Sequence, residues 1–347
     1  MPEELRKQSL MRLEETVVSS RVRLARNIED YFFPVRMSEE QKESLLVVIE
    51  GLCQEESFCQ KAGQLLFQRL ESIPNQDKSL LLEQHLISPK LFALPKGTGV
   101  ITGLAGRISV MINEEDHLRI QGFSPGFDLE DAYIIAQNVD QAFEGSLPLM
   151  FDEEKGYLTS CPTNLGTALR ASVMLFLPVL SASERLSEEI KKLAREGYAL
   201  RGFYGEGTKG QGSVFQLSNQ VTLGMTEEEI LLELEIKARA LVEKEWEAME
   251  AWSEEDRFRV ENEARKSYGL LLHASALSLE EGIKIVKDLR LARRLDLEFP
   301  LVEGITGYNR LIYEMQPAHL YEQQTIGKIY REKKRAELIR KTLLSEA

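Results

Sequence analysis

Five short segments hold the residue types that could do chemistry. The first is Ser19-Ser20-Arg21-Val22-Arg23-Leu24-Ala25-Arg26-Asn27. If this run is extended, Arg21 and Arg23 share one face, because strand side chains alternate with period two. Two guanidinium forks on one face suit a polyphosphate, which needs planar multidentate donors; the plainer reading is a solvated strand face with surface ion pairs. The second, Ile112-Asn113-Glu114-Glu115-Asp116-His117-Leu118-Arg119-Ile120, sets three acids, a histidine and an arginine after an apolar run. A carboxylate held at a strand end suits a general base, and neighbouring acids would raise its proton affinity. An acidic turn with a structural His117 fits the same residues.

The third segment is Ser160-Cys161-Pro162-Thr163-Asn164-Leu165-Gly166-Thr167-Ala168-Leu169-Arg170. Its turn is expected to lead into a helix from Ala168 toward Leu177, whose first N–H groups could bind an anion. A thiol among arginines would have a lowered pKa; a buried, inert cysteine is the ordinary alternative. The fourth runs from Arg201 to Gly212, and Gly205 to Gly210 matches G-x-G-x-x-G. Ser213-Val214-Phe215-Gln216-Leu217 after it reads as a strand and not a helix, so the dinucleotide fingerprint fails its context. Walker A and protein-kinase companions are missing from the sequence. A glycine-rich lid closing over substrate fits better, with a wide hairpin loop as the structural alternative. The fifth, Ile326 to Lys341, carries seven basic and two acidic residues, a pattern that usually marks a solvated helix face.

These segments need elements to position them. Val17-Val18, Val100-Ile101, Ile108 to Ile112, Gly156 to Leu158 and Gln211 to Leu223 read as strands. Ser38 to Gly51 reads as a helix, and Leu129, Ala132, Ile135, Val139, Ala142 and Phe143 have helical spacing. This order lacks strict βαβ alternation, so the fold expected is α+β with a mostly antiparallel sheet flanked by helices. Thr226-x-x-Glu229 and Ser278-x-x-Glu281 are capping boxes that open helices. The stretch after about residue 260 reads as all-α, with breaks at Pro300 and Gly304 to Gly307. The division expected is a catalytic domain over 1–258 and a helical C-terminal domain over 259–347.

The 347 residues match a prior of about two domains. Apolar residues make up 43% and charged residues 29%, a globular composition. The formal net charge of −13 argues against a general nucleic-acid binder, so any anion site must come from local arginine clusters. The cysteines Cys53, Cys59 and Cys161 form neither a disulfide framework nor a zinc pattern, and no metal site is expected from the residues. The N-terminus has no apolar signal core. The most apolar stretch, Ala171 to Leu180, is about ten residues, short of the 18 or more of a membrane span. The expectation is a cytoplasmic protein with no membrane and no nucleic-acid partner.

In their order, SSRVRLARN, NEEDHLR, SCPTNLGT…R and RGFYGEG…SNQ resemble the phosphagen (ATP:guanidino) kinase superfamily. Only 18 residues precede Ser19, where metabolite kinases of the superfamily carry a helical domain of about a hundred residues, and about 85 helical residues follow the kinase segment. That layout resembles the bacterial protein-arginine kinase branch. The resemblance implies transfer of the γ-phosphoryl of Mg-ATP to arginine side chains, with ATP and Mg²⁺ as cofactors. It implies Arg21, Arg23, Arg119, Arg170 and Arg201 as phosphate clamp and His85 as nucleotide contact. It further implies Glu115 and Glu206 as carboxylates on the substrate guanidinium, and Cys161 as the reactive thiol.

The nucleotide-binding segments implied comprise Ser19, Ser20, Arg21, Val22 and Arg23; Arg170, Ala171, Ser172, Val173 and Met174; and Arg201, Gly202, Phe203, Tyr204, Gly205 and Glu206. Arg331, Glu332, Arg335 and Ala336 match the branch's RDxxRA phosphoarginine element, with Glu332 in place of aspartate. Ala168 stands where the superfamily usually has glycine, and Lys209 where the branch usually has glutamate. The implied partners are substrate proteins with exposed arginine, a second copy of the chain in a homodimer, a zinc-binding activator protein and a Clp-type unfoldase in stress response and protein quality control. A catalytically weak adaptor that binds phosphoarginine proteins is the alternative of a different class.

Overall fold

The computed structural model describes residues 3–94, 96–203, 211–301, 304–321 and 327–344. Helix α1 (Glu3–Thr16) runs directly into strand β1 (Val17–Arg26). Helices α2 (Glu39–Leu52) and α3 (Glu56–Ala62) precede β2 (Leu65–Arg69), and α4 (Asn75–Glu83) and α5 (Pro89–Ala93) precede β3 (Gly99–Gly103). Strands β4 (Ile108–Ile112) and β5 (Leu118–Pro125) lead to α6 (Leu129–Glu144). After a small ribbon, β6 (Phe151–Asp152) and β7 (Gly156–Tyr157), come β8 (Leu169–Phe176), α7 (Pro178–Ser181) and α8 (Arg185–Arg195). Strands β9 (Tyr198–Gly202) and β10 (Val214–Asn219) close the sheet. The rest is helical: α9 (Glu227–Glu250), α10 (Glu254–His273), α11 (Leu279–Arg294), α12 (Thr306–Glu314) and α13 (Lys328–Leu343).

Eight strands form one sheet in the order β2-β3-β4-β5-β1-β8-β10-β9. Every pairing in it is antiparallel. Strand β1 lies near the middle, paired with β5 on one side and β8 on the other, so its two faces are well separated environments. One face is apolar: Val22, Leu24, Ile120, Ala171, Val173, Leu175 and Leu217 join the main core, with Ala132, Ile135, Ala136 and Val139 of α6 and Leu234, Ala238 and Leu241 of α9. The closeness of α6 depends on Gly122 of β5, where a Cβ would stand 2.1 Å from the carbonyl oxygen of Ala132. No side chain fits between that strand and the helix.

The capping boxes form as expected. Thr226 accepts from the Glu229 N–H and Ser278 from the Glu281 N–H, each glutamate answering the cap's own N–H, so α9 and α11 start where the sequence places them. The C-terminal helices enclose a second core of Leu271, Leu277, Ile285, Leu289, Tyr308, Leu311, Ala336 and Ile339. Helix α11 also reaches back to the sheet. Arg294 pairs with Glu245 at 3.2 Å, both fully buried, and donates to the carbonyls of Glu15 and Phe176. Glu245 in turn accepts the N–H groups of Val179 and Leu180, so this buried ion pair has hydrogen bonds to offset its desolvation.

One expectation fails. The segment Ala168 to Leu177 is strand β8 and not a helix. Its Leu, Ala and Met content favours helix, but Arg170, Ser172 and Met174 on one face alternate with Ala171, Val173 and Leu175 of the apolar core on the other, and nearly the whole segment is buried. Between two strands with open edges, that alternation is decisive, and local propensity yields to it. The turn Pro162–Asn164 therefore leads into a strand, and there is no helix N-terminus at Ala168 to hold an anion. The strand read across Gln211 to Leu223 is confined to Val214–Asn219.

Candidate active site

The face of the sheet opposite α6 and α9 carries the charge. Residues directly opposite in neighbouring strands point the same way, so register alone defines rows. Arg23 lies opposite Gln121 on one side and Arg170 on the other. Arg21 lies opposite Phe123 and Ser172, and Ser172 opposite Ser218. Ser19 lies opposite Met174, Met174 opposite Gln216, and Gln216 opposite Arg201. Arg119, two residues before Gln121, completes the set. Five arginines from β1, β5, β8 and β9 thus share one face of the sheet, and two of them, Arg21 and Arg201, line a cleft of about 1570 Å³ together with His85 and Phe203.

The same alternation sorts the remaining nucleotide candidates. Ser19, Ser172 and Met174 are on the cleft face. Val22, Ala171 and Val173 are in the apolar core, so their side chains do not reach the cleft. Ser20 is also turned away, donating to the carbonyl of Gly126 and accepting from the N–H of Asp128 at the start of α6. Tyr204, Gly205 and Glu206, together with Lys209 and the remainder of 204–210, lie outside the described residues.

The arginines are held against their own repulsion. Burial, then Arg119, pushes the Arg21 guanidinium down to about 10, and it donates to Gln216 Oε1 at 2.8 Å. Burial, then Arg21, Arg119 and Arg170, also pushes Arg23 well below its usual value. Arg170 is lowered by burial, then by Arg201 and Arg119, and partly restored by the charge of Glu115. The Nε–H groups of Arg23 and Arg170 are buried with no hydrogen-bond acceptor. Unpartnered buried donors in a cationic cluster are destabilising unless an anion enters, and a triphosphate supplies both the charge and the acceptors. His85 stands beside the cluster with its ring 4.8 Å from Phe203. Burial, then Arg21 and Arg23, pushes the imidazole down to about 4, so it is neutral near pH 7.

The acidic turn between β4 and β5 divides its residues among separate tasks. Glu114 accepts from Ser88 at 2.8 Å and from Arg119 at 3.1 Å; burial raises its pKa, but Arg119 and these hydrogen bonds bring it below the usual carboxylate range. Glu115 is half-buried and close enough to Arg170 to favour its charge. Asp116 Oδ1 accepts from the Ser160 N–H and from Asn27 Nδ2, both at 2.7 Å. That pair of bonds ties the turn carrying Glu115 to the loop carrying Cys161 and to the end of β1. Cys161 Sγ lies 3.0 Å from Thr163 Oγ1. The loop is pressed against the Thr222 carbonyl, which a Cβ at Gly166 would meet at 2.2 Å. His117 accepts the Ile28 N–H on Nδ1 at 3.0 Å and meets the Phe32 carbonyl through Nε2 at 2.8 Å. Fully buried and lowered in pKa by that burial, it braces the turn.

Residues outside the sequence candidates support the site. Asn27 joins the end of β1 to Asp116 and His117 where the turn enters β5, and Glu114 aims Arg119. Neither is distinguishable by type or spacing from its neighbours. Tyr313 of α12 also lines the cleft, brought there from far along the chain. The basic C-terminal segment is helix α13, where Arg335 and Ala336 are buried. Arg335 donates through Nε to the Met315 carbonyl and through Nη1 to that of Leu277, which fixes the orientation of its fork. Glu332 is half-buried, with Lys328 at 3.8 Å.

Comparison with known proteins gives a consistent set of relatives. Residues 49–248 match the family described as ATP:guanido phosphotransferase, C-terminal catalytic domain, and residues 257–347 match the protein-arginine kinase McsB C-terminal domain. The protein-arginine kinase of Symbiobacterium thermophilum is 40% identical over 331 residues, covering 95% of this chain and 93% of its relative. That of Bacillus subtilis is 38% identical over 333 residues, covering 95% and 90%. Among solved structures, the substrate-free duplicated taurocyamine kinase from Schistosoma mansoni superposes with a TM-score of 0.58 at 30% identity over 68% of this chain; the match spans 34% of that duplicated protein. Lombricine kinase has the same TM-score at 24% identity, covering 70% of each chain, and shares the fold.

Proposed function

Because the chain belongs to the ATP:guanido phosphotransferase family, as a protein-arginine kinase, we propose that the arginine-floored cleft is where the γ-phosphoryl of ATP passes to an arginine side chain of a protein, with the following roles. Arg21, Arg23, Arg119, Arg170 and Arg201 clamp the triphosphate. The observation that carries this is the pair of buried, acceptor-less Nε–H groups on Arg23 and Arg170 within a mutually repelling cluster. Phosphoryl transfer spreads negative charge over equatorial oxygens, and prepositioned forks stabilise it without reorganisation. Mg²⁺, which favours phosphate oxygens and water, would enter with the triphosphate and neutralise part of its charge. Among the described residues no three His, Cys, Asp or Glu side chains converge to hold an ion by themselves.

A free guanidinium is cationic and a poor nucleophile, so a base must take a proton as nitrogen attacks phosphorus. Glu115 suits this role, since the Asp116 bridge holds its turn beside the Cys161 loop and its charge is felt at Arg170. Glu206 would orient the guanidinium from the opposite side, and Cys161 would contact another of its nitrogens. Arg331, Glu332, Arg335 and Ala336 form the phosphoarginine-binding element, supported by the buried and fixed fork of Arg335. The separate core under α10 to α13 supports a helical domain over 259–347 beside a catalytic domain over 1–258. Dimerisation, a zinc-binding activator, a Clp-type unfoldase, a stress-response role and a cytoplasmic location belong to the same reading. No helix among the described residues is long and apolar enough to cross a membrane.

The experiment is direct. With Mg-ATP and an arginine-containing protein, the product should be acid-labile N-phosphoarginine, identified by mass spectrometry. Glu115→Gln should lower kcat by about 100-fold or more, the usual effect of removing a general base, with an unchanged unfolding transition. Transfer to Ser, Thr or Tyr alone would refute the assignment.

A further inference from the structure

The cleft is graded from one end to the other. Along β1 the cleft face reads Arg23, Arg21, Ser19, a span of about 13 Å at 3.3 Å per residue. The cationic end, with Arg23, Arg119 and Arg170, is next to Glu115. At the other end Ser19 and Met174 lie on the floor, in one row with Gln216 and Arg201, and three aromatic rings stand over them. His85 comes from the turn after α4, Phe203 from the end of β9, and Tyr313 from the last turn of α12. The ring centroids are 4.8 Å apart for His85 and Phe203, 5.9 Å for Phe203 and Tyr313, and 6.1 Å for His85 and Tyr313.

Tyr313 does not reach this place by chance of a loop. Ile305, which caps α12, and Asn309 and Tyr313 within it, spaced by four, all line the cleft, so the helix presents one whole face to it. Ile312 packs with Val18, Met174, Phe176 and Val214 of the sheet. The chain after α12 is held at Glu83, whose carboxylate accepts the N–H groups of Ala318 and His319 and meets His319 Nδ1 at 2.9 Å. Glu83 is two residues before His85, so one anchor sets both rings. On the other side, Arg335 Nε holds the Met315 carbonyl at 2.8 Å. The Tyr313 hydroxyl is 3.6 Å from Met174 Sδ and within hydrogen-bonding reach of Ser19.

We propose that Tyr313 contacts the nucleoside end of ATP, so that the C-terminal helices complete the nucleotide site and the catalytic sheet alone does not. With the phosphates at the arginines and the γ-phosphoryl toward Glu115, the base lies where the three rings meet, and aromatic rings bind a purine by stacking and edge contact. The proposal rests on the assignment of the cleft as the ATP site. It makes Tyr313 sensitive to the base and ribose, and indifferent to the phosphates.

The test uses inorganic tripolyphosphate, which has the phosphates and no base, beside ATP and ADP, all on the full chain. Tyr313→Leu should weaken ATP and ADP by about tenfold, the scale of one lost base–aromatic contact, and leave tripolyphosphate within twofold. It should raise KM for ATP with kcat and the protein substrate's KM nearly unchanged, and Tyr313→Phe should restore wild-type affinity. Equal weakening of tripolyphosphate and ATP would make Tyr313 a structural residue and overturn the proposal, as would unchanged ATP affinity. On the unsubstituted protein, ADP should slow amide exchange across 306–314 and tripolyphosphate should not; equal protection, or none, overturns it without any variant. Arg23→Met separates the two claims. If it weakens both ligands while Tyr313→Leu affects neither, only the Tyr313 proposal fails; if it weakens neither, the assignment of the cleft fails as well.

Discussion

Replacing Arg21 by methionine keeps the length of the side chain and removes its charge. Burial and Arg119 hold this guanidinium at about 10, where a free one is above 12. At about 1.36 kcal/mol per decade, keeping it charged there costs about 3 kcal/mol, and water in an open cleft screens this to about half. Against that gain, methionine gives up the hydrogen bond to Gln216 at 2.8 Å, a longer one to Ser172 at 3.4 Å and the approach to the Phe123 ring. These together contribute about 1–2 kcal/mol net. The nucleotide-free variant should therefore unfold in urea within about 1 kcal/mol of wild type, although a buried, hydrogen-bonded side chain has been removed. ATP binding responds very differently. Loss of a charge-assisted fork to phosphate removes about 2–3 kcal/mol, or about 30- to 150-fold in affinity. At an ATP concentration 100 times the wild-type Kd, wild type gains about 2.7 kcal/mol of stability and a variant weakened 100-fold gains about 0.4 kcal/mol. Urea melts with and without ATP, supported by calorimetric titration, measure both quantities. A variant that loses more than about 2 kcal/mol without nucleotide, or that keeps ATP affinity within threefold, would refute the view that the arginines are stored for an anion at the expense of the empty fold.

Three more outcomes follow from particular contacts. Gly122→Ala should destabilise by about 3 kcal/mol or more, because its methyl would meet the Ala132 carbonyl at 2.1 Å and separate α6 from the sheet; a melting temperature within 2 °C of wild type would show the helix can move. Asp116→Ala should leave the Ser160 and Asn27 donors unpaired, destabilise by about 2–4 kcal/mol and lower kcat more than it raises KM for ATP, while Asp116→Asn, which keeps one acceptor oxygen, should retain most stability. His85 is held at about 4 in the fold against about 6.5 unfolded, so the stability it contributes is present above pH 6.5 and lost as pH falls toward 4. Relative to His85→Asn, whose side chain tolerates the left-handed backbone at φ 59°, wild type should lose about 2–3 kcal/mol between pH 7 and pH 4 in urea melts; a pH-independent difference would refute the assignment.

The chemistry of this protein is largely carried by local residue order. The spacing of Arg21 and Arg23 gives a shared face once the segment is extended, and the capping boxes at Thr226 and Ser278 fix where α9 and α11 begin, because these are interactions among neighbours in the chain. Other features were open to local reading only in part. Leu169–Phe176 alternates by twos but is rich in helix formers, and the edges of β1 and β10 on either side decide for strand. Glu114, Glu115 and Asp116 are indistinguishable by type; their tasks differ because Arg119, Arg170 and the Asn27–Ser160 pair, far apart in sequence, arrive at different sides of one turn. Tyr313 shows the limit most clearly. Its helix has ordinary amphipathic spacing, and nothing in that pattern points to a nucleotide. Only the tertiary anchors at Glu83 and Arg335, together with the packing of Ile312 on the sheet, bring its ring above Ser19. Sequence determines which groups a segment can offer and the face on which it offers them. Which groups meet across hundreds of residues is set by the packing of whole faces, whose apolar area outweighs any single local preference.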